Sequence, residues 1–113
     1  MFNHFTVPVT AFSQNCSLVW CDQTMKAAVV DPGGDLDLLL AEVARLGLTL
    51  EQIWLTHAHI DHAGGTAELA GRLKLPIIGP HEADQFWIDG LPEQSRMFGF
   101  PPAKVFTPTR WLQ

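Results

Sequence analysis

The sequence predicts an α/β fold: a mixed β-sheet with helices on one face. Three observations predict it. Apolar runs of strand length open the chain, strand and helix patterns then alternate, and the longest helical segment carries its apolar residues along a single stripe.

The opening is a meander. Residues 5–9 and 15–21 read as strands separated by a polar Ser-Gln-Asn turn at 13–15, and residues 22–24 form a second turn. Residues 26–31, Lys-Ala-Ala-Val-Val-Asp, are a short apolar run of buried-strand type that Pro-Gly-Gly then breaks. Asp35 is placed to cap a helix running to about Leu46. On it Leu36, Leu39, Leu40, Val43 and Leu46 fall on one face, as a helix lying on a sheet requires. Gly47 is its natural stop. Residues 53–56 form a strand and 66–73 a second helix. Residues 76–78 make a short strand ended by Pro80, and 82–88 a third helix with Phe86 and Trp87 as packing residues. Residues 90–102, with three prolines, read as loop, and Val105 and Phe106 as a last strand. The second face of the sheet has no evident cover within residues 1–113, which predicts one incomplete domain.

Composition bounds the function. An apolar fraction of 47% and a charged fraction of 17% describe a globular chain. A net charge of −5 without a basic run argues against a nucleic-acid backbone or an anionic membrane as partner. No apolar stretch approaches the roughly 18 residues that suggest a membrane span. The N-terminus has neither the basic nor the long apolar region of a secretory signal, so a cytoplasmic protein is expected. Cys16 and Cys21 lack metal-finger spacing, and their opposite parity on one strand points them to opposite faces. They are expected to pack as small hydrophobes.

The chemistry concentrates at Leu-Thr-His-Ala-His-Ile-Asp-His-Ala-Gly-Gly, residues 55–65. His57 and His59 are two apart, so at a strand's end both rings can face one point. Asp61 and His62 are adjacent and serve a second point only if the backbone turns, and Gly64 and Gly65 then let the chain turn into the next helix. Imidazole nitrogen and carboxylate oxygen suit zinc, and iron or manganese less exclusively. His4 and His81 stand alone and read as solvated histidines. Asp31, ending a buried-type strand, should lie at the same sheet edge. It either orients a ligand histidine or the ligand loop, or shapes the turn before Pro32.

Thr56, His57, His59, Asp61 and His62 match in full the THxHxDH signature of the metallo-β-lactamase superfamily. With Val-Val-Asp-Pro-Gly-Gly upstream, Gly-Gly downstream and flanks such as Phe-Trp-Ile-Asp-Gly-Leu-Pro-Glu-Gln, the chain resembles the short glyoxalase II-like (hydroxyacylglutathione hydrolase-like) hydrolases of bacteria. The resemblance implies the N-terminal half of an αββα sandwich with a metal site at one edge between two sheets. It implies two zinc ions, or iron or manganese, sharing a hydroxide that attacks a thioester such as S-lactoylglutathione. His57 and His59 would ligate the first metal, and Asp61 and His62 the second. Asp61 would also orient the hydroxide and take a proton, with Asp31 and Thr56 supporting the ligands from behind. The alternatives on the same fold are a lactonase, a β-lactamase or an iron persulfide dioxygenase.

The family draws three further ligands, a histidine, an aspartate and a histidine, from its second half. Residues 63–113 offer only His81 and five acids, Glu68, Glu82, Asp84, Asp89 and Glu93, none in ligand spacing. The 113-residue chain alone is therefore expected to be inactive. Each 100 Å² of sheet left uncovered forgoes about 2.5 kcal/mol. That predicts self-association through the open face or completion by a partner segment.

Overall fold

The structure, a computed structural model, describes residues 2–9, 14–100 and 102–112. Six strands form one sheet in chain order: β1 (Phe2–Val9), β2 (Gln14–Cys21), β3 (Lys26–Val30), β4 (Thr49–Trp54), β5 (Ile77–His81) and β6 (Arg110–Leu112). The first three pair antiparallel, and β3 through β6 run parallel. Parallel neighbours need crossovers, supplied by α1 (Leu36–Arg45), α2 (Ile60–Ala63) with α3 (Thr66–Leu73), and α4 (Gln85–Asp89) with α5 (Leu91–Met97). The mixed sheet with helices is the α/β class expected from the sequence.

The register explains the core. Phe5, Leu18, Val29, Ile53 and Ile77 form one row across five strands. Leu36 and Leu39 of α1, Leu69 of α3, Ile88 of α4 and Leu91 of α5 join the same buried cluster. Leu40, Val43 and Leu46 pack on it in part, so the leucine stripe does face the sheet. The parallel row Val30, Trp54, Ile78 lies on the opposite face. There Phe2, Val19, Ala28 and Trp54 line an apolar groove of about 420 Å³, with Trp54 41% exposed.

Several boundaries differ from expectation. β1 begins at Phe2 rather than Phe5, because the hydrogen-bonded register with β2 continues to Phe2–Cys21. β2 begins at Gln14, one residue before the expected Asn15, and Ser13 of the expected turn lies outside the described residues. Asp35 holds the N-cap position of α1 in a left-handed conformation, φ 50°, but its side chain makes no cap hydrogen bond. α1 closes as expected: Gly47, φ 70°, and Leu48 donate to Ala44 and Val43 carbonyls. β4 occupies Thr49–Trp54, so His57 and His59 lie on a loop beyond the strand rather than at its end. Pro80 lies within β5, where the pairing with β6 shifts between Ile78 and His81, so no ladder bond needs its missing N–H.

α5 occupies residues expected to be loop, with Pro92 in its first turn, where a helix needs no N–H. The last strand is Arg110–Leu112, not Val105 and Phe106, and Thr109 N–H donates to the Ile77 carbonyl to start it. Phe86 is 61% exposed with its ring 4.6 Å from that of Trp87, and Trp87 meets the core. Cys16 is buried, Cys21 is half-buried, and both are free thiols. His4 and His81 are exposed, as expected, although His81 Nδ1 accepts from Ala83 N–H.

Candidate metal centre

The site lies where β3 and β4 end. These neighbouring parallel strands deliver Asp31 and Thr56 to the carboxyl edge of the sheet, the edge at which open α/β sheets bind ligands. Asp31 N–H donates to the Trp54 carbonyl at 2.9 Å. The Asp31 carboxylate is buried and accepts Thr56 N–H on Oδ1 at 2.8 Å and Thr56 O–H on Oδ2 at 2.6 Å. The carboxylate contacts fit the orienting reading, and the Asp31 carbonyl, accepting Gly33 N–H at 2.9 Å, fits the turn reading as well. Asp31 also takes the left-handed conformation, φ 57°, which Asp tolerates better than most residues.

Hydrogen-bond accounting fixes the ring tautomers. Thr56 has one hydroxyl proton, and it goes to Asp31. The 3.0 Å contact between Thr56 Oγ1 and His57 Nδ1 therefore needs the proton on His57 Nδ1. His62 Nδ1 lies 3.2 Å from Asp31 Oδ2, and a carboxylate only accepts, so that nitrogen carries its proton too. In the neutral form of either ring, Nε2 is then the lone-pair nitrogen. Burial, followed by the neighbouring His62, pushes the His57 pKa down and favours the neutral ligand form.

Asp61 and His62 lie on α2, a one-turn helix not expected from the sequence, with His59 at its N-cap. It brings the adjacent residues Asp61 and His62 to one side, with His62 Nε2 3.6 Å from Asp61 Oδ2. Two donors at 2.0–2.2 Å from a tetrahedral ion stand roughly 3.4 Å apart, so this pair fits one divalent ion. His57 lies between His59 and His62, with ring centroids 5.1 and 3.8 Å away. These contacts link the four expected ligand residues in a chain, but His59 and Asp61 fall outside the tight ligand group found among the described residues. Ligand-type atoms of Asp31, His57 and His62 lie within 4.8 Å of one another, but both Asp31 oxygens already accept hydrogen bonds.

The glycines flanking the site serve close approach rather than turning. Gly64 and Gly65 have φ −60° and −94°, which any residue adopts. A Cβ on Gly33 would lie 1.8 Å from the Asp61 carbonyl oxygen, and one on Gly65 2.7 Å from that of Pro32. The two Gly-Gly segments pack backbone to backbone and hold α2 against the loop after β3.

Two residues passed over in the sequence touch the ligand loop. Asp84 Oδ2 accepts Ala58 N–H at 3.2 Å, and Gln94 Oε1 accepts Ile60 N–H at 3.2 Å. Trp87 stacks edge-on against His59 at 4.4 Å. Among the other acids of residues 63–113, Glu68 pairs with Arg72 on the surface of α3.

The metallo-beta-lactamase superfamily profile matches residues 9–112. The hydroxyacylglutathione hydrolase GloC of Haemophilus influenzae is 44% identical over 106 residues, 94% of this chain and 50% of its own length. A hydroxyacylglutathione hydrolase of Albidiferax ferrireducens is 36% identical over 66% of this chain and 28% of its own. The chain thus spans half or less of the length of these curated relatives. Among solved structures, TTHA1623 in a di-iron-bound form superposes with a TM-score of 0.84 at 33% identity, over 96% of this chain and 54% of its own. The BLEG-1 B3 metallo-beta-lactamase does so with a TM-score of 0.81 at 29% identity, over 100% and 53%.

Proposed function

The chain belongs to the metallo-beta-lactamase superfamily, and from that membership we propose that it is the N-terminal portion of a divalent-metal hydrolase that cleaves thioesters such as S-lactoylglutathione. The observation that carries the reading is the convergence of His57, His59, Asp61 and His62 at one sheet edge, with the Nδ1 protons of His57 and His62 already engaged. The 44% identity to a protein named as a hydroxyacylglutathione hydrolase supplies the substrate class.

His57 and His59 would hold one ion, and Asp61 and His62 a second. Zinc suits these donors, and the di-iron-bound relative keeps iron in view. When bound, such ions polarise a carbonyl and lower the pKa of water to about 7. The chain's own part is orientation and proton handling. Asp31 accepts from His62 Nδ1 and, through Thr56, restrains His57, which holds both ring planes. The Asp61 carboxylate orients the attacking water and takes its proton. A C–O bond forms, the C–S bond breaks, and the proton leaves on the thiol.

Residues 1–113 are read as part of one domain, because the solved relatives extend to nearly twice this span. No described helix is long and apolar enough to cross a membrane, and a cytoplasmic site of action is part of the proposal. The test is thiol release from S-lactoylglutathione by a full-length, metal-loaded form. A second reading, β-lactam hydrolysis, is favoured by the BLEG-1 likeness, and turnover of a chromogenic cephalosporin without thioester cleavage would select it.

A further inference from the structure

We propose that Asp84 and Gln94 are positioning residues for the metal-ligand loop, an inference that rests on the metal-site reading above. After Leu55, whose N–H still donates to the Ile78 carbonyl of β5, the loop between β4 and α2 leaves the sheet and its later backbone donors need other partners. Ala58 and Ile60 are nevertheless buried, and a buried N–H needs an acceptor. Both acceptors are side chains from the segment after β5. Asp84 Oδ2 takes the Ala58 N–H and Gln94 Oε1 takes the Ile60 N–H, across 26 and 34 residues of sequence.

These two amides alternate with the ligands His57, His59 and Asp61, so pinning them fixes the backbone from which three ligand side chains project. Gln94 does more with the same amide: its Nε2 donates to the Trp87 carbonyl at 3.2 Å. Trp87 in turn sets its ring against His59. One glutamine therefore ties α5, α4 and the ligand loop together, and a hydrogen bond of the Ala83 N–H to His81 Nδ1 seats the 3₁₀ turn Glu82–Asp84 that presents Asp84. The oxygens used by Asp84 and Gln94 face backbone N–H groups. Their role is to reduce the freedom of the ligands before metal arrives, not to ligate.

The test uses the full-length protein with Asp84→Ala, Asp84→Asn, Gln94→Ala and Gln94→Glu. Zn²⁺ affinity is measured against a chromophoric chelator, and amide exchange is followed in the metal-free state. Asp84→Ala and Gln94→Ala are expected to weaken Zn²⁺ binding by about 10–100-fold, the usual scale for losing a group that orients a ligand. They should also speed exchange at Ala58 and Ile60 respectively. Asp84→Asn keeps an acceptor oxygen and restores both readouts. Gln94→Glu keeps the Ile60 acceptor, so protection at Ile60 returns, but it loses the donor to Trp87 and recovers affinity only in part. Wild-type Zn²⁺ affinity in folded Asp84→Ala and Gln94→Ala, or unchanged exchange at Ala58 and Ile60, would overturn the inference and leave the proposed function standing. A wild-type protein that binds neither Zn²⁺ nor Fe²⁺ would overturn the proposed function itself.

Discussion

Asp31 Oδ2 lies 3.2 Å from His62 Nδ1, joining the end of β3 to α2 across 31 residues of sequence. The same carboxylate accepts both Thr56 donors, so one buried side chain serves three. Removing it in Asp31→Ala strands those donors at about 1–3 kcal/mol for each that stays dry. Denaturant unfolding should show a loss of at least that size. Zn²⁺ affinity of the folded fraction of a full-length form should fall by about 10–100-fold. Asp31→Asn should retain more stability than Asp31→Ala but still lose affinity, since its NH₂ group cannot accept from His62.

The contact of Gly33 with Asp61 predicts an asymmetry between two glycine substitutions. A Cβ at Gly33 would meet the Asp61 carbonyl oxygen at 1.8 Å, whereas one at Gly71, inside α3, would meet nothing within 4 Å. Gly33→Ala should therefore cost about 1–3 kcal/mol as backbone is forced apart and should disturb metal binding through α2. Gly71→Ala should stabilise by roughly 0.5–1 kcal/mol and leave the site alone. Paired thermal melts with Zn²⁺ titrations check both.

The cysteines should separate by pH. Burial, followed by the Asp31 charge, pushes the Cys16 thiol up to about 12, so it stays protonated and unreactive at neutral pH. Hydrogen bonds from the Gln23 and Thr24 backbone hold the Cys21 thiol below its ordinary value of 9.0. A thiol-reactive dye at neutral pH should label Cys21 first, with a rate that rises with pH and reaches half its maximum below 9.0. Cys16 should be labelled only after denaturation. Because the folded pKa of Cys16 is raised, its linkage is flat below about 9, and stability falls as pH rises from 9.0 towards about 12.

The open sheet face predicts association of the 113-residue chain. Trp54 stands 41% exposed in a row with Val30 and Ile78, beside Val19 and Ala28. Sedimentation should show concentration-dependent dimers that Trp54→Glu suppresses, while the face in a full-length form should be protected.

Parts of this were legible because local chemistry determined them. The helix at residues 66–73 was placed to its ends, since its amphipathic run is bounded by Gly65 and Lys74. The ligand cluster was legible because its members are close in sequence. What escaped depends on tertiary pairing. β6 forms at Arg110–Leu112 because β5 offers an edge there, not because Val105 and Phe106 are better strand formers. α5 was masked by Pro92, read as a breaker although it sits in a first turn. Asp84 and Gln94 carry no spacing signal, because their partners are backbone amides far along the chain.

The most direct measurement of the central claim is thiol release from S-lactoylglutathione by a full-length, zinc-loaded form, compared with His57→Ala and His62→Ala. The account predicts zinc-dependent release that falls by at least about 100-fold in both variants, consistent with the several kcal/mol a metal centre contributes. No release from the zinc- or iron-loaded wild type, or release unchanged when His57 and His62 are removed, would contradict it.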